Sequence, residues 1–428
     1  MKNKKRRKEL FPLYLLWGTQ TFSALGSAMT SYALVIWSYA QTGQALSTAL
    51  LMVCSYAPYV LMSVFAGALS DRWDKRRTMI VCDLLAVFST GLIGLLLAAG
   101  QLQIWHLYLL NAFSGLMGTV QQPASEVAVT LLTPRDFYQK ISALRSFSGS
   151  LNSLLTPALA TVLLAFGGMG LVISFDVLTC LIAVGALVLK IRLPRQDMTG
   201  EEKQPLLKSA GEGLTYLREN RGILHMILFL AAINLVASAY NAALPALVLS
   251  RENGGEIVLG WVNTCAGLAM LVGSMVVTLL PEPKSRARVV CNSLLFSMSF
   301  ENFCLAFGQE SWIWCVGAVL GWLCIPLMST NLEALLRSHI PAGIQGRVYA
   351  ARNTLQFFTI PVGYLLGGAL VDQVCEPFMA TQPAGSPLTA LFGTGKGSGA
   401  AFLFLLLAVS GILVCLLFRR NRHIRSLF

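Results

Sequence analysis

In a chain of 428 residues only 20 are acidic, and five of these, Asp83, Glu126, Asp176, Glu301 and Glu333, fall in stretches that are otherwise strongly apolar. A charged side chain at the centre of a helix in lipid costs ~2.5 to 3.5 kcal/mol even on the lenient insertion scale. Each acid therefore needs a base, or marks a place where a proton or ion binds. Glu126 stands eight residues before Pro134, with Lys140 six and Arg145 eleven after it; Glu333 stands eight before Pro341, with Arg347 six and Arg352 eleven after it. On antiparallel helices joined at the proline, a rise of 1.5 Å per residue puts acid and arginine ~12 and ~16 Å from the turn. An arginine side chain spans that gap, so the matched offsets predict two equivalent carboxylate–guanidinium pairs and a duplicated half. Asp83, with Arg72 and Lys75 close by in sequence, is read as a further ion-pairing acid. Asp176 and Glu301 have no base nearby and are the candidate proton sites.

Little else in the chain offers chemistry. The four histidines are separated, and the ten cysteines are scattered singly without a CxxC or Cys/His cluster. That pattern carries neither a metal site nor a nucleophilic relay, and no enzyme is expected.

The elements that must hold these acids follow from composition. With 55% hydrophobic residues, 12% charged and a mean hydropathy of +0.65, the chain is far more apolar than a soluble domain, which is ~25% charged. From Leu10 to Ser70 there is no charged residue or histidine; as one crossing takes ~20 apolar residues of helix, this is two crossings and a turn. Continued along the chain, the pattern predicts an all-α polytopic membrane protein with twelve transmembrane helices, at 10–39, 45–70, 78–99, 104–131, 138–166, 170–190, 222–249, 258–280, 289–308, 311–336, 345–371 and 398–418. They form two six-helix bundles, 1–190 and 222–428, around a polar linker at 191–221. In the linker Leu207, Ala210, Leu214 and Leu217 recur at helical spacing, which predicts an amphipathic helix along the membrane surface. The Pro- and Gly-rich stretch 373–397 shows no period and is expected to be an irregular, mobile loop. The basic N-terminus reads as the start of an uncleaved first helix, since no small-residue cleavage site follows.

The net charge of +12 raises the question of nucleic acid. Placement excludes it: with the N-terminus inside, only Arg251 and Lys396 fall on outer segments. Such asymmetry is the positive-inside rule. It predicts a multi-pass protein of the cell membrane with both termini cytoplasmic.

The first charged segment after the N-terminus, GALSDRWDKRR at 67–77, resembles the signature loop between the second and third helices of the major facilitator superfamily. WGTQTFSALGSAM in helix 1, SDRWDKRRTMIVCDLL after helix 2, ISFDVL in helix 6, EGLTYLRENRG in the linker and GRVYAARNTL opening helix 11 resemble its macrolide-efflux and siderophore-exporter branch. The resemblance implies a monomeric, alternating-access exporter of amphipathic small molecules, driven by a proton gradient and needing no cofactor. It assigns Gly67, Asp71, Arg72, Lys75 and Arg76 to a conformational gate, with Asp71 expected against the start of helix 11 near Gly346. Glu126, Arg145, Glu333, Arg347 and Arg352 join them through the repeat. Two features depart from the drug antiporters: Asn111 stands where many carry an arginine, and the glycine-rich motif of helix 5 is reduced to Ser148, Gly149 and Thr156-Pro157.

In such a fold helices 1, 4, 7 and 10 line the cavity. Their polar or small stripes include Gln20 and Ser27; Asn111 and Gly115; Asn234, Ser238 and Asn241; and Trp322 and Ser329. Since helices 1 and 7 carry no acid, the expectation is a largely neutral pocket for bulky, mostly apolar solutes. A lipid or lysolipid flippase on the same fold is the alternative.

Overall fold

The computed structural model describes residues 2–134, 137–191, 193, 214–341 and 344–425, without the side chains of 2–9, 63–72, 138–140, 142–143, 146, 345–347, 350 and 425. The chain is all-helical among these residues, as lipid requires of a backbone that must satisfy its own hydrogen bonds. The long helices are α1 (Lys2–Thr42), α2 (Ala45–Arg72), α3 (Lys75–Ala98), α4 (Ile104–Leu132), α5 (Tyr138–Leu189), α6 (Arg221–Ser250), α7 (Glu256–Leu279) and α8 (Arg286–Phe307). Then come α9 (Ser311–Leu323), α10 (Ile325–His339), α11 (Gln345–Phe357), α12 (Thr359–Ala369), a π-helical turn (Leu370–Cys375), α13 (Glu376–Ala380), α14 (Pro387–Phe392), α15 (Ser398–Arg420) and α16 (Arg422–Arg425).

Nine described helices are long and apolar enough to cross a membrane, and the one at 147–189 has 43 residues, enough for two crossings. Its chain reverses at Gly168, where φ is +63°, a left-handed conformation that glycine alone adopts freely. With α1 and α4 this makes twelve passes. The tenth is broken at Cys324, between α9 and α10, with Pro326 in the first turn of the second piece. The eleventh breaks at Phe358 and then continues well past 371. Short polar caps start the helices that follow tight loops: Asp74 accepts from the Arg77 N–H and Ser285 from the Arg288 N–H, each satisfying a donor that the helix leaves open.

The chain forms two compact units, Met1–Val35 with Cys54–Lys203, and Ile36–Val53 with Gln204–Phe428. The tip of the α1–α2 hairpin thus belongs to the second unit. The first unit has an apolar core of Leu13, Leu16, Met79, Ala128, Ile141 and Leu187 from α1, α3, α4 and α5. Small residues let its backbones approach: a Cβ on Gly115 would lie 2.2 Å from the Ser55 carbonyl oxygen. This close contact is the usual way helices pack in lipid. In the second unit α12 meets α6 in the same manner, with Gly363 and Gly367 against the backbone of Leu235 and Ala239.

The stretch 373–397 differs from its expected irregularity. It holds α13 and α14, and the Phe392 ring is buried against Phe307 and Phe402. Arg251 donates to the carbonyls of Phe392 and Gly397, while Glu376 accepts from the N–H groups of Gly397 and Ala400 at the start of α15. A carboxylate at a helix N-terminus is favoured by the helix dipole. Asp372 does the same for α2, accepting from the Ala45 and Leu46 N–H groups at 3.0 and 2.8 Å. Composition had suggested a loop because these tethers come from residues far away in sequence. Of the linker, 214–219 is helical; the rest of the expected amphipathic helix lies outside the described residues.

Candidate transport site

The first unit encloses a cavity of about 380 Å³ whose walls include Gln20, Ser27, Asp83, Asn111, Gln121 and Asp176. Three of its lining side chains are carboxylates, Asp83, Glu126 and Asp176, against one guanidinium, that of Arg145. The expectation of a largely neutral pocket is therefore corrected for this unit. Asp83 and Asp176 come from α3 and from the second arm of α5, helices that a reading of central stripes does not consult, while Glu126 comes from the last turns of α4.

Asp83 and Asp176 are both buried and differ in their partners. Asp83 Oδ2 accepts from Gln20 Nε2 at 3.0 Å, Oδ1 accepts from Gln121 Nε2, and the two glutamines are bonded to each other. The ion pair expected for Asp83 is replaced by an amide clamp. Asp176 is surrounded by hydroxyls instead: Ser27 Oγ donates to Oδ1 at 2.9 Å and Thr90 Oγ1 to Oδ2 at 3.3 Å. Gly26 makes this possible by bringing α1 against α5, since a Cβ there would lie 3.0 Å from the Asp176 Cα. Gln121, Thr90 and Thr30 escaped the sequence reading. The usable signal was that a buried acid without a base must draw on amides and hydroxyls in neighbouring spans.

In the second unit Glu301 is buried between aromatic donors. Its Oε1 accepts from Tyr240 OH at 2.6 Å and from Trp322 Nε1 at 2.9 Å, and Gly321 leaves just enough room for the carboxyl. Trp322, read from the sequence as a cavity residue, is thus a partner of the acid. Neither Asp83, Asp176 nor Glu301 has an ion pair among the described residues.

Both acid–arginine pairs are formed. Arg145 Nη2 lies 3.0 Å from Glu126 Oε1 with both side chains about half exposed (47% and 48%), and Arg352 Nη1 lies 2.8 Å from Glu333 Oε1 with exposures of 11% and 43%. Their equivalence does not hold: Arg352 also donates to Gln356 Oε1 and lies over the Tyr349 ring. Arg76 donates to the carbonyls of Leu187 and Val188 at the end of α5, and the buried Lys75 donates to the Trp73 carbonyl. The side chains of Asp71, Arg72 and Arg347, Gly67, and the contact expected near Gly346 lie outside what the structure describes.

Of the remaining stripe residues only Asn111 lies on the wall of the first unit's cavity, and most bond their own helix or serve helix contacts. Asn111 donates to its own helix at Leu107 and Asn241 to Ala237. Asn234 Nδ2 bonds the Gln356 carbonyl, and Ser238 is packed against Gly363. Gly115 serves the contact with Ser55, and Ser329 is exposed.

Comparison with known proteins places this geometry. Macrolide efflux protein A of Streptococcus pyogenes is 22% identical over 84% of this chain and 89% of its own length. The multidrug efflux pump Tap of Mycolicibacterium fortuitum is 21% identical over 84% and 89%, and the enterobactin exporter EntS of Escherichia coli O127:H6 is 23% identical over 83% and 80%. Among solved structures, the nucleoside transporter NupG superposes with a TM-score of 0.69 at 11% identity, covering 96% of this chain and 99% of that one. A bacterial homologue of the iron transporter ferroportin, in an inward-facing state, gives 0.69 at 15%, covering 96% and 98%. The family model for transmembrane secretion effectors matches residues 7–390, nearly the whole helical body. The chain therefore belongs to the transmembrane secretion effector family of the major facilitator superfamily, and it is a multi-pass membrane transporter and no enzyme.

Proposed function

We propose that the protein is a secondary active exporter of bulky amphipathic small molecules, acting as a monomer in the cell membrane with both termini in the cytoplasm. Relatives named for macrolide, multidrug and enterobactin export support the direction and the solute class. The observation that carries the energetic part is Glu301: a buried carboxyl held by two neutral donors and no base. Burying a carboxylate without a counter-charge is costly, so the group exchanges a proton with solution as its surroundings open and close. The proton gradient is the energy source, and no cofactor takes part. Glu126 with Arg145 and Glu333 with Arg352 brace the gate that Gly67, Asp71, Arg72, Lys75, Arg76 and Arg347 complete, and solute binds among the polar residues of the first unit's cavity.

Reconstitution into liposomes under an imposed pH gradient tests this reading. Wild-type protein is expected to move an amphipathic dye or macrolide against its gradient, and Glu301→Gln to lose the dependence on pH difference while still binding solute. Movement of a fluorescent lipid with none of a dye would replace export by flipping. Undiminished proton-driven export by Glu301→Gln would remove Glu301 from the mechanism.

A further inference from the structure

The surroundings of Asp176 leave something over that proton exchange at Glu301 does not use. Thr30 lines the same cavity on α1, is 4% exposed, and turns its hydroxyl toward the Asp176 carboxyl without completing a well-formed hydrogen bond to it. A buried hydroxyl without a full partner costs free energy, and three residues earlier on the same face of helix 1 the Ser27 hydroxyl donates to the same carboxyl. With Thr90 from α3 the group comprises one carboxylate and three hydroxyls from three helices, all hard oxygen donors. Such donors suit alkali and alkaline-earth cations and not the softer transition metals.

The geometry points to a sodium site at Asp176, Ser27, Thr30 and Thr90. One carboxylate balances one positive charge. A divalent ion would want the second carboxylate of the cavity, but both oxygens of Asp83 are already taken by the Gln20 and Gln121 amides, which would have to leave first. Size argues the same way. Sodium resembles calcium in radius, whose oxygen ligands lie at about 2.3 to 2.6 Å; ligands at that distance and at right angles to one another are about 3.4 Å apart. The Ser27 and Thr90 hydroxyls are 2.9 and 3.3 Å from the carboxylate oxygens, so a small shift of side chains admits sodium, whereas the α1–α5 contact at Gly26 resists the wider spread that potassium needs. Water in the cavity completes the shell. Arg145, the one guanidinium of the lining, is paired with Glu126, so no base among the described lining residues opposes a cation at Asp176.

Equilibrium binding of radiolabelled sodium to the purified full-length protein in detergent, at fixed pH with choline as the replacing cation, tests the site without any transport step. Saturable binding is expected, displaced by unlabelled sodium and lithium and not by potassium. Asp176→Asn should abolish it, and Thr30→Val should weaken it by about tenfold. Elution as a single monodisperse peak checks that each variant folds; if Asp176→Asn does not, Thr30→Val decides. Glu301→Gln should keep sodium binding while losing proton-driven export, so that the two readings fail separately. No saturable binding by wild type, equal displacement by potassium, or unchanged affinity in Thr30→Val would each overturn the site.

Discussion

Glu126 with Arg145 and Glu333 with Arg352 occupy the same offsets around the prolines of the two halves, and they make the same contact, 3.0 and 2.8 Å. They are not worth the same. In the first half both partners are about half exposed, and a pair in such surroundings contributes ~0.2 to 1 kcal/mol. In the second half the guanidinium is nearly buried and has a second acceptor in Gln356 and a ring beneath it in Tyr349. Hydrogen bonds to a charged group there are worth ~1.5 to 3 kcal/mol. The buried acids follow the same division: Asp83 and Asp176 face a cavity, while Glu301 is closed in by Tyr240, Trp322 and Gly321. A duplicated pattern therefore decides which residues meet, and the packing around them decides what the meeting contributes.

The comparison breaks most readily at Gly321. A Cβ there would lie 2.0 Å from Glu301 Oε2 and 2.4 Å from its Cδ, and the carboxyl is held in place by two donors. Gly321→Ala is expected to lower stability by ~3 kcal/mol, at the upper end of overpacking costs, read as a fall in melting temperature in detergent. A melting temperature at the wild-type value would show that the second half is no tighter than the first.

Double-mutant cycles sharpen the contrast between the pairs. Arg352→Gln should destabilise by ~2 kcal/mol, with most of that coupled to Glu333 and Gln356. Arg145→Gln should cost ~0.5 kcal/mol and be largely screened by added salt. Equal coupling energies in the two cycles would contradict the exposures that distinguish them.

The smallest effect is expected at Gly118, the α4 glycine on the first unit's cavity wall, where an added Cβ meets nothing within 4 Å. Gly118→Ala should change stability by no more than ~0.5 kcal/mol, read as a melting temperature close to that of wild type. A loss comparable to that at Gly321 would mean that the first half is as tightly closed as the second.

Much of this architecture is legible in one dimension. Span positions follow from charge-free runs, because lipid penalises every charge, and the acid–arginine pairs follow from their offsets, because antiparallel helices joined by a tight turn hold a fixed register. Neighbours contributed by distant spans are invisible in this way. Gln121 reaches Asp83 across 38 residues, Thr90 reaches Asp176 across 86, and Arg251 reaches Phe392 across 141. Hence the cavity looked neutral and 373–397 looked loose when each stretch was read by itself. Local composition reports what a segment lacks and not what packs against it.

The sequence by itself determined that this is a helical membrane protein built on a duplicated half, which acids have a base at hand, and which do not. These follow from hydrophobicity and helical periodicity, properties of contiguous residues. Only the tertiary structure decided how the unpaired acids are satisfied, by amides at Asp83, by hydroxyls at Asp176 and by aromatic donors at Glu301. It also decided that the two matched pairs differ in exposure. Solvation and hydrogen bonding depend on everything within a few ångströms, and in a bundle of long helices most of those neighbours are remote in the chain.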